Sequence, residues 1–253
     1  MISTRCVGLW RKGKRGLRRN GVSGVLKYVV RAILESSQSV FQKPAAQGEE
    51  ELFDRQHQTD TAVKLYGATD LIGVDSENWV HGCFYMPSEP EQFHSLVQRL
   101  PIHFEDYTFV DYGSGKGRAM LMAADYPFKE IIGVEYSSCL HEVAEQNIAN
   151  YVSPTRMCEK ITSIRCDAEQ FAIPGGPVVH YFANPFEEPV MKRVVQNIVD
   201  SLTEEPRPMF VAYYNAICAD VFLEHGFLEV VRQTDKHGIH MIFESDGGEE
   251  CGV

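Results

Sequence analysis

Short apolar segments alternate with helical patterns through the middle of the chain. Five apolar segments are predicted as strands: 107–110, 130–134, 161–166, 178–183 and 209–214. The stretches between and after them have helical patterns: about 117–125, 138–150, 187–202 and 216–225. This alternation is typical of a doubly wound α/β sheet whose parallel strands are covered by helices on both faces.

The end of the chain departs from that rhythm. Apolar segments at 227–232 and 239–244 are joined by Gln-Thr-Asp-Lys-His-Gly, which is too short for a helix. Two strands joined so closely are expected to pair as an antiparallel hairpin. The fold class predicted is therefore α/β, with a mostly parallel, seven-stranded, Rossmann-like sheet and a terminal antiparallel hairpin.

The residues before 104 predict an N-terminal helical extension. Residues 21–34 have one apolar helical face, and 36–50 are typical of a linker. Ser88 and Glu91 form a capping-box pattern at the start of a helix that runs to about Leu100. The predicted division is a basic segment with helix and linker (1–50), a lid or substrate segment (51–103), the main domain (104–244) and an acidic tail (245–253).

Charge is distributed unevenly over the 253 residues, whose net charge is −11. The first 35 residues contain nine basic side chains and one acidic one, which leaves −19 on the remainder. An acidic body argues against nucleic acid as a partner, because phosphate neutralisation dominates that affinity. Residues 5–34 could contact an anionic membrane surface, pack on the main domain, or serve as an organellar presequence.

The seven cysteines are scattered and include no Cys-x-x-Cys pair. This argues against a disulfide framework and against a zinc site, and it favours a reducing compartment such as the cytoplasm. No metal site is predicted. The oligomeric state stays open.

Polar residues follow the first four predicted strands: Asp111, Glu135, Asp167 and Asn184. Ligands of open parallel sheets bind beyond the carboxyl ends of the strands, so these four residues are expected to line one crevice. The first turn contains Gly113, Gly115 and Gly117, which allow sharp turning and close approach of a ligand to the backbone.

Two of these acids have a predicted role in nucleoside recognition. Glu135 could accept hydrogen bonds from a ribose diol, or it could be an exposed acid at a strand end. Asp167 could accept from an adenine amino group while the N–H of Ala168 meets a ring nitrogen. Its alternative is a helix N-cap.

Taken together, Asp-x-Gly-x-Gly-x-Gly, Gly-Val-Glu, Cys-Asp-Ala, Asn-Pro-Phe and the terminal hairpin resemble the class I S-adenosylmethionine-dependent methyltransferases. The resemblance covers about 104–244 and is nearest to an uncharacterised bacterial group, which also has a counterpart of His-Gly-Cys-Phe-Tyr-Met-Pro (81–87). It implies S-adenosyl-L-methionine as the cofactor. It also implies these cofactor-binding residues: Asp111, Gly113, Ser114, Gly115 and Gly117 at the methionine part, Glu135 at the ribose, Asp167 and Ala168 at the adenine.

Asn184, Pro185 and Phe186 bear on the reaction. They are similar to the Asn/Asp-Pro-Pro-Tyr/Phe loop of amino-methylating enzymes, with one proline fewer. The resemblance implies that Asn184 accepts hydrogen bonds from an NH₂ group and that Phe186 stacks on the acceptor. The alternative is a turn in which Pro185 ends the strand and Phe186 packs on a helix.

The favoured function is methyl transfer to an amino or amide nitrogen of an unidentified protein or small molecule. One alternative is an NAD(P)-dependent oxidoreductase, although that class favours Gly-x-Gly-x-x-Gly and gives no reason for Asn-Pro-Phe. The other is a cofactor-binding interaction module without catalysis.

Overall fold

The computed structural model of the protein describes residues 46–62 and 86–245. Within these ranges the strands are β1 Thr108–Tyr112, β2 Glu130–Glu135, β3 Ile161–Arg165, β4 Val178–Phe182, β5 Met209–Tyr213, β6 Leu228–Asp235 and β7 Gly238–Glu244. The α-helices there are α1 Ala46–His57, α2 Pro90–Val97, α3 Arg118–Ala123, α4 Ser138–Asn150, α5 Glu188–Glu204 and α6 Ala219–Glu224. Short 3₁₀ turns lie at Phe104–Asp106 and Ala168–Gln170.

One sheet contains all seven strands in the order β3-β2-β1-β4-β5-β7-β6. Strands β1 to β5 are parallel, whereas β7 is antiparallel to both β5 and β6. The predicted fold class, with its terminal antiparallel hairpin, is confirmed. Among the residues described, no helix is both long enough and apolar enough to cross a membrane.

The central strands are buried because helices cover both faces of the sheet. Every residue of β1, β4 and β5 is buried. On one face, Phe93 of α2 packs its ring 5.2 Å from the ring of Tyr181 and 6.2 Å from that of Phe109. On the other face, α5 buries a valine-rich stripe against the sheet, with Val194 and Val195 fully enclosed. This two-sided burial explains the near-continuous apolar strands of the sequence.

The capping box predicted at Ser88 is wrong. The N-cap position of α2 is Glu89, which makes no side-chain cap, and Pro90 begins the helix. The buried Ser88 hydroxyl instead pairs with the Tyr181 hydroxyl at 2.9 Å. A buried hydroxyl needs a hydrogen-bond partner, and the neighbouring strand supplies one here.

The linker predicted over 36–50 is wrong at its end, because α1 already begins at Ala46. Ala, Gln and Glu are good helix formers, and they make up most of 46–51. Helix α2 ends at Val97, three residues before the predicted Leu100.

Several predictions fall outside the described residues. These are the amphipathic helix at 21–34, the membrane contact through 5–34 and the His81–Tyr85 part of the upstream motif. Most of the acidic tail also falls there, although Ser245 still donates its backbone N–H to Met209 at 2.9 Å. The division at residues 50, 103 and 244 stays a prediction.

Replacement of Phe93 tests whether α2 belongs to the same core as the sheet. Phe93→Ala is expected to lower the free energy of unfolding by about 3–5 kcal/mol, because a fully buried ring leaves a cavity. Urea denaturation measures it. Leu223→Ala, at a position 42% exposed, is the matched control and is expected to cost less than about 1 kcal/mol. Equal losses in both variants would contradict the placement of α2 in the core.

Candidate functional site

The register of the parallel strands brings the predicted polar residues to one edge of the sheet. Asp111 of β1 lies level with Gly133 of β2 and Tyr181 of β4. Glu135 ends β2, and Asp167 and Asn184 each follow a neighbouring strand by two residues. Strand β1 continues to Tyr112, so Asp111 lies one residue inside the strand, where it is 3% exposed. The four residues thus lie at one edge of the sheet, and Asp111 lies deeper than a position at the end of the strand.

The turn after β1 has a conformation that favours glycine. Gly113, Gly115 and Gly117 all have positive φ, at 70°, 56° and 89°. At Gly113 a Cβ atom would lie 2.6 Å from Cβ of Pro185, closer than two non-bonded carbon atoms approach in proteins. Any side chain at position 113 would thus displace the loop after β4. The glycine turn and the Asn-Pro-Phe loop are in direct contact.

Two clefts meet at Gly113. The first has about 350 Å³ of empty space, part of it open to solvent, and is largely apolar. Its lining comprises Gly113, Val134, Tyr136, Cys166, Asp167, Ala168, Phe186 and Val190. The second has about 260 Å³ and contains more polar groups. It is lined by Met86, Pro87, Ser88, Asp111, Gly113, Ser114, Arg118, Ala119 and Ala183. Gly113 therefore lines both clefts, which we call the apolar cleft and the polar cleft.

Glu135 fixes the shape of the glycine turn. Its Oε2 accepts the backbone N–H of Gly115 at 2.8 Å, and its Oε1 accepts that of Ser137 at 2.8 Å. The side chain is 3% exposed. The sequence left this acid as a ribose ligand or an exposed acid at a strand end. It is not exposed, and the structure adds that it connects the end of β2 to the turn.

Burial disfavours the charged form of two carboxyl groups at this edge, those of Asp111 and Glu135. Burial raises the pKa of Asp111 to about 8, and the negative charge of Glu135 adds to the shift. Burial also raises the pKa of Glu135, although backbone N–H groups of Ser137, Gly115 and Tyr136 counteract it. A cationic ligand group beside Asp111 would favour its ionised form.

Two basic residues of the turn, which sequence reasoning did not assign, are also buried. Lys116 is fully enclosed, and its Nζ donates to the carbonyl of Ala62 at 3.0 Å and to Asp60 at 3.4 Å. Arg118 is 1% exposed and donates from Nε to Thr61 Oγ1 at 2.6 Å. A signal for both existed in the sequence. They are the only charges between Asp111 and Asp125, in an otherwise small or apolar stretch that is expected to be buried.

The chain segment after α1 holds this turn from outside. Asp54 fixes the conformation of this segment, because its carboxylate accepts hydrogen bonds from Thr59, Thr61 and Ala62 at 2.6–2.8 Å. Burial is the largest single influence on the pKa of Asp54 and raises it. The hydrogen bonds together outweigh burial, so the pKa is lowered. Asn147 of α4 then connects the two parts, donating from Nδ2 to the carbonyl of Lys116 at 2.9 Å and accepting the N–H of Asp60 at 2.8 Å.

Asp167 and Ala168 both line the apolar cleft. The Asp167 side chain also accepts the N–H of Glu169 at 3.1 Å, which makes it the N-cap of a 3₁₀ turn. The capping role that the sequence left open is therefore present, and it coexists with a position on the cleft wall.

The three residues predicted to act in catalysis lie in the loop after β4, and each contacts a different part of the site. Asn184 has φ of 54°, a left-handed conformation that asparagine tolerates, and its Oδ1 accepts a 3.4 Å hydrogen bond from the Tyr213 hydroxyl. Pro185 packs on Gly113. Phe186 is 9% exposed and lines the apolar cleft. Within 46–62 and 86–245, no group of three or more His, Cys, Asp or Glu side chains is arranged to hold a metal ion.

Comparisons with known proteins give structural likeness without sequence support. No family model matches the chain, and no curated protein does. The ribosomal protein L11 methylase of Lactobacillus delbrueckii subsp. bulgaricus has 12% identity and a TM-score of 0.46, over 63% of this chain and 79% of that one. The glycopeptide N-methyltransferase MtfA, complexed with S-adenosyl-L-methionine, has 12% identity and a TM-score of 0.48, over 64% and 96%.

A third similar structure is magnesium protoporphyrin IX methyltransferase of Synechocystis PCC 6803, with 13% identity and a TM-score of 0.43, over 61% of this chain and 77% of that one. All three proteins are described as methylating enzymes, the class that the sequence resembles.

Asp111→Asn tests the electrostatic cost of this site. A raised pKa means that the native state favours protonated Asp111, so its contribution to stability is greatest at low pH and declines as pH rises towards about 8. The asparagine variant does not show this decline in stability, because its side chain does not ionise. It should exceed the wild type in unfolding free energy by roughly 1–3 kcal/mol at about pH 8, and by less at about pH 5.

Urea denaturation of the ligand-free protein at both pH values measures this difference. Asp220→Asn, at an exposed position, is the control and is expected to show no such pH-dependent gap. A gap for Asp111→Asn that stays constant between the two pH values would contradict the account.

Proposed function

We propose that this protein is an S-adenosylmethionine-dependent methyltransferase that methylates an amino or amide nitrogen of an unidentified acceptor. The observation that carries the proposal is the pair of clefts meeting at Gly113, one apolar and one polar, beyond the carboxyl ends of β1, β2 and β4. A nucleoside joined to an amino acid has the same division into a flat, largely apolar part and a charged part.

The apolar cleft suits an adenosine group. Phe186, Val190 and Ala168 offer apolar surface for a planar base, and Asp167 with the backbone of Ala168 offers hydrogen bonds at its edge. Glu135 would bind the ribose. Carboxylate oxygens can accept more than one hydrogen bond, so the bonds from Gly115 and Ser137 do not exhaust this side chain.

The polar cleft suits the methionine part. Asp111 would face its ammonium group, which compensates the negative charge that burial disfavours. The backbone of the glycine turn, from Gly113 through Gly117, would lie alongside the ligand without obstruction by Cβ atoms. The fit also includes a buried hydroxyl, Ser114 Oγ, which has no hydrogen-bond partner in the part of the chain that the structure describes.

S-Adenosylmethionine supplies an already activated methyl group on a sulfonium. The protein's task is then to hold an acceptor nitrogen in line with that methyl group, roughly 3–3.5 Å away. Asn184 suits this task, because it lies between Ala183 on the polar cleft and Pro185 on the glycine turn. Its Oδ1 would accept a hydrogen bond from the acceptor N–H and so orient the nitrogen lone pair.

Tyr213 supports that orientation of Asn184. The Tyr213 hydroxyl accepts the N–H of Cys218 at 3.4 Å and donates to Asn184 Oδ1 at 3.4 Å, which fixes the amide with its oxygen towards Tyr213. Phe186 takes a different part from the one its resemblance implies. From the wall of the apolar cleft it would contact the adenine rather than the acceptor.

The acceptor is proposed to be a protein or a small molecule. The net charge of −19 beyond residue 35 disfavours nucleic acid and would attract an amine that is cationic in solution, whose nitrogen must give up a proton before it attacks the methyl group. A cytoplasmic location and contact of residues 5–34 with a membrane surface belong to the same proposal.

The oxidoreductase alternative is less well supported. Dinucleotide-binding sheets of the Rossmann type have the strand order 3-2-1-4-5-6, whereas here an antiparallel β7 lies between β5 and β6. The inactive binding module has the same cofactor site and differs only in turnover.

Two measurements test the proposal. In calorimetric titrations we expect S-adenosylhomocysteine to bind and NADH not to bind; the reverse result would favour the oxidoreductase. With radiolabelled S-adenosylmethionine and fractionated cell extract, label is expected to enter one protein or metabolite fraction. Cofactor binding without transfer to any fraction would favour the inactive module.

Glu135→Gln tests the ribose assignment. The amide keeps the shape but loses the charge, and its NH₂ cannot accept a backbone N–H. Affinity for S-adenosylhomocysteine is expected to fall by about 1.5–3 kcal/mol in calorimetry. Glu130→Gln, at the other end of β2 in a surface pair with Lys160, is the control and should leave affinity unchanged. Unchanged affinity in Glu135→Gln would show that the assignment is wrong.

Asn184→Ala tests the catalytic loop. Turnover is expected to fall at least about 100-fold, as for loss of an orienting hydrogen bond, with little change in cofactor affinity. Because alanine is strained at φ of 54°, Asn184→Gly serves as a second variant that removes the amide without that strain. Similar losses in both variants attribute the effect to the amide. Retained turnover in the glycine variant would reduce Asn184 to a structural role.

A further inference from the structure

A row of side chains continues from the polar cleft across the next two strands of the sheet. Ala183 lines that cleft, and Tyr214 and His240 follow it in the direction of β5 and β7. Ala183 lies level with Tyr214, because the preceding residues, Phe182 and Tyr213, are partners in the register of β4 and β5. Both Ala183 and Tyr214 pack against the core on the α2 side of the sheet, so their side chains lie on the same face.

His240 covers one face of the Tyr214 ring and fixes its orientation. The two rings are stacked, with centroids 4.6 Å apart and planes at 16°. Nδ1 of His240 accepts the backbone N–H of Asn215 at 3.0 Å, and Nε2 lies 3.0 Å from Asp235 Oδ1. A ring nitrogen that accepts a hydrogen bond carries no proton, which places the ring proton on Nε2, towards Asp235. The imidazole is thus held from both sides.

The opposite face of the Tyr214 ring is directed towards the polar cleft. Since His240 belongs to β7, the other face is turned to β4, where the level residue is Ala183 with its small side chain. Tyr214 is half-buried, and within 46–62 and 86–245 no second aromatic ring and no cationic group contacts the Tyr214 ring besides His240. An accessible aromatic face therefore adjoins the wall of the polar cleft.

The charges near this aromatic face are negative. Ser88 lines the polar cleft and pairs with the Tyr181 hydroxyl, which places the next residue, Glu89, beside the same wall. Burial is the largest cause that raises the pKa of Tyr214 to about 12, and the negative charges of Glu89 and Asp235 add to the shift. Both carboxylates are therefore near enough to act on the Tyr214 hydroxyl. Aromatic faces beside carboxylates are suited to organic cations.

We propose that the face of the Tyr214 ring and the carboxylate of Glu89 bind the acceptor as a cationic alkylamine at the edge of the polar cleft. This inference rests on the proposed function and narrows its acceptor from an amino or amide nitrogen to an aliphatic amine. The quadrupole of an aromatic ring attracts an ammonium group over its face, and a carboxylate adds to that attraction. Amides and aromatic amines are uncharged at neutral pH and lack both interactions.

The same surroundings suit the transfer step. The bound ammonium first gives one proton to solvent. Its lone pair then forms the N–C bond while the C–S bond breaks and leaves its electron pair on sulfur. Positive charge thus returns to the nitrogen as the sulfonium becomes a neutral thioether. Groups that stabilise positive charge at this nitrogen therefore stabilise the transition state as well as the arriving acceptor.

Two analogues of S-adenosylhomocysteine test the inference on the unaltered protein. In both, nitrogen replaces the sulfur; one carries an aminopropyl arm, which ends in an ammonium group, and the other carries a butyl arm of the same length. The aminopropyl analogue is expected to bind about 5–100-fold more tightly in calorimetry, as for a cation–π contact assisted by a carboxylate. A smaller preference, or tighter binding of the butyl analogue, would overturn the proposal.

Substitutions of the ring and of the acid attribute that preference. Tyr214→Leu and Glu89→Gln should each reduce the preference at least about threefold, whereas Tyr214→Phe keeps an aromatic face and should retain most of it. Tyr126→Leu is the matched control, because Tyr126 is half-buried in the loop between α3 and β2, at the amino ends of the strands. It is expected to leave the preference unchanged. An unchanged preference in Tyr214→Leu would show that the ring does not bind the cation.

These results separate the inference from the proposed function. If the wild type binds S-adenosylhomocysteine but binds the two analogues equally, the acceptor is not held as a cation at Tyr214 and the inference is wrong, while the proposed function stands. If the wild type binds neither S-adenosylhomocysteine nor either analogue, the proposed function itself is wrong.

Discussion

Gly113 is the point at which the structural constraints of the site converge. Its backbone has φ of 70° and leaves no room for a Cβ atom beside Pro185. The turn after β1 and the loop after β4 can therefore touch, and this single residue lines both clefts. A larger residue would separate the loops and with them the proposed cofactor and acceptor positions.

The surroundings of Gly113 are organised around buried charge. Glu135 holds the turn through Gly115, while Lys116 is enclosed by the segment that follows α1. Asp111 remains buried beside Glu135, with its pKa raised to about 8. Such groups destabilise the ligand-free protein, and their retention at one edge of the sheet is typical of a binding site. Burial of the Asp111 carboxylate thus lowers the stability of the ligand-free protein, whereas the same charge favours binding of a cationic ligand group.

Much of this arrangement could be predicted from the sequence because it depends on local patterns. Apolar segments such as 178–183 indicate a strand buried on both faces, and the polar residues after the strands meet at one edge whatever the packing details. The prediction was less successful where a contact spans distant parts of the chain. Ser88 looked like a helix cap and instead pairs with Tyr181, 93 residues away.

The same limit applied to the site. The charges of Lys116 and Arg118 were visible in the sequence, but their partners near residue 60 come from a segment with weak periodicity. The direction of Phe186 could not be predicted either, because it depends on how the loop after β4 leaves the sheet.

A crystal structure of the protein with S-adenosylhomocysteine tests the central claim most directly. The account predicts one continuous ligand across Gly113, with its adenine between Ala168 and Phe186 and its amino-acid end beside Asp111. A ligand bound elsewhere, or one that leaves either cleft empty, would contradict it.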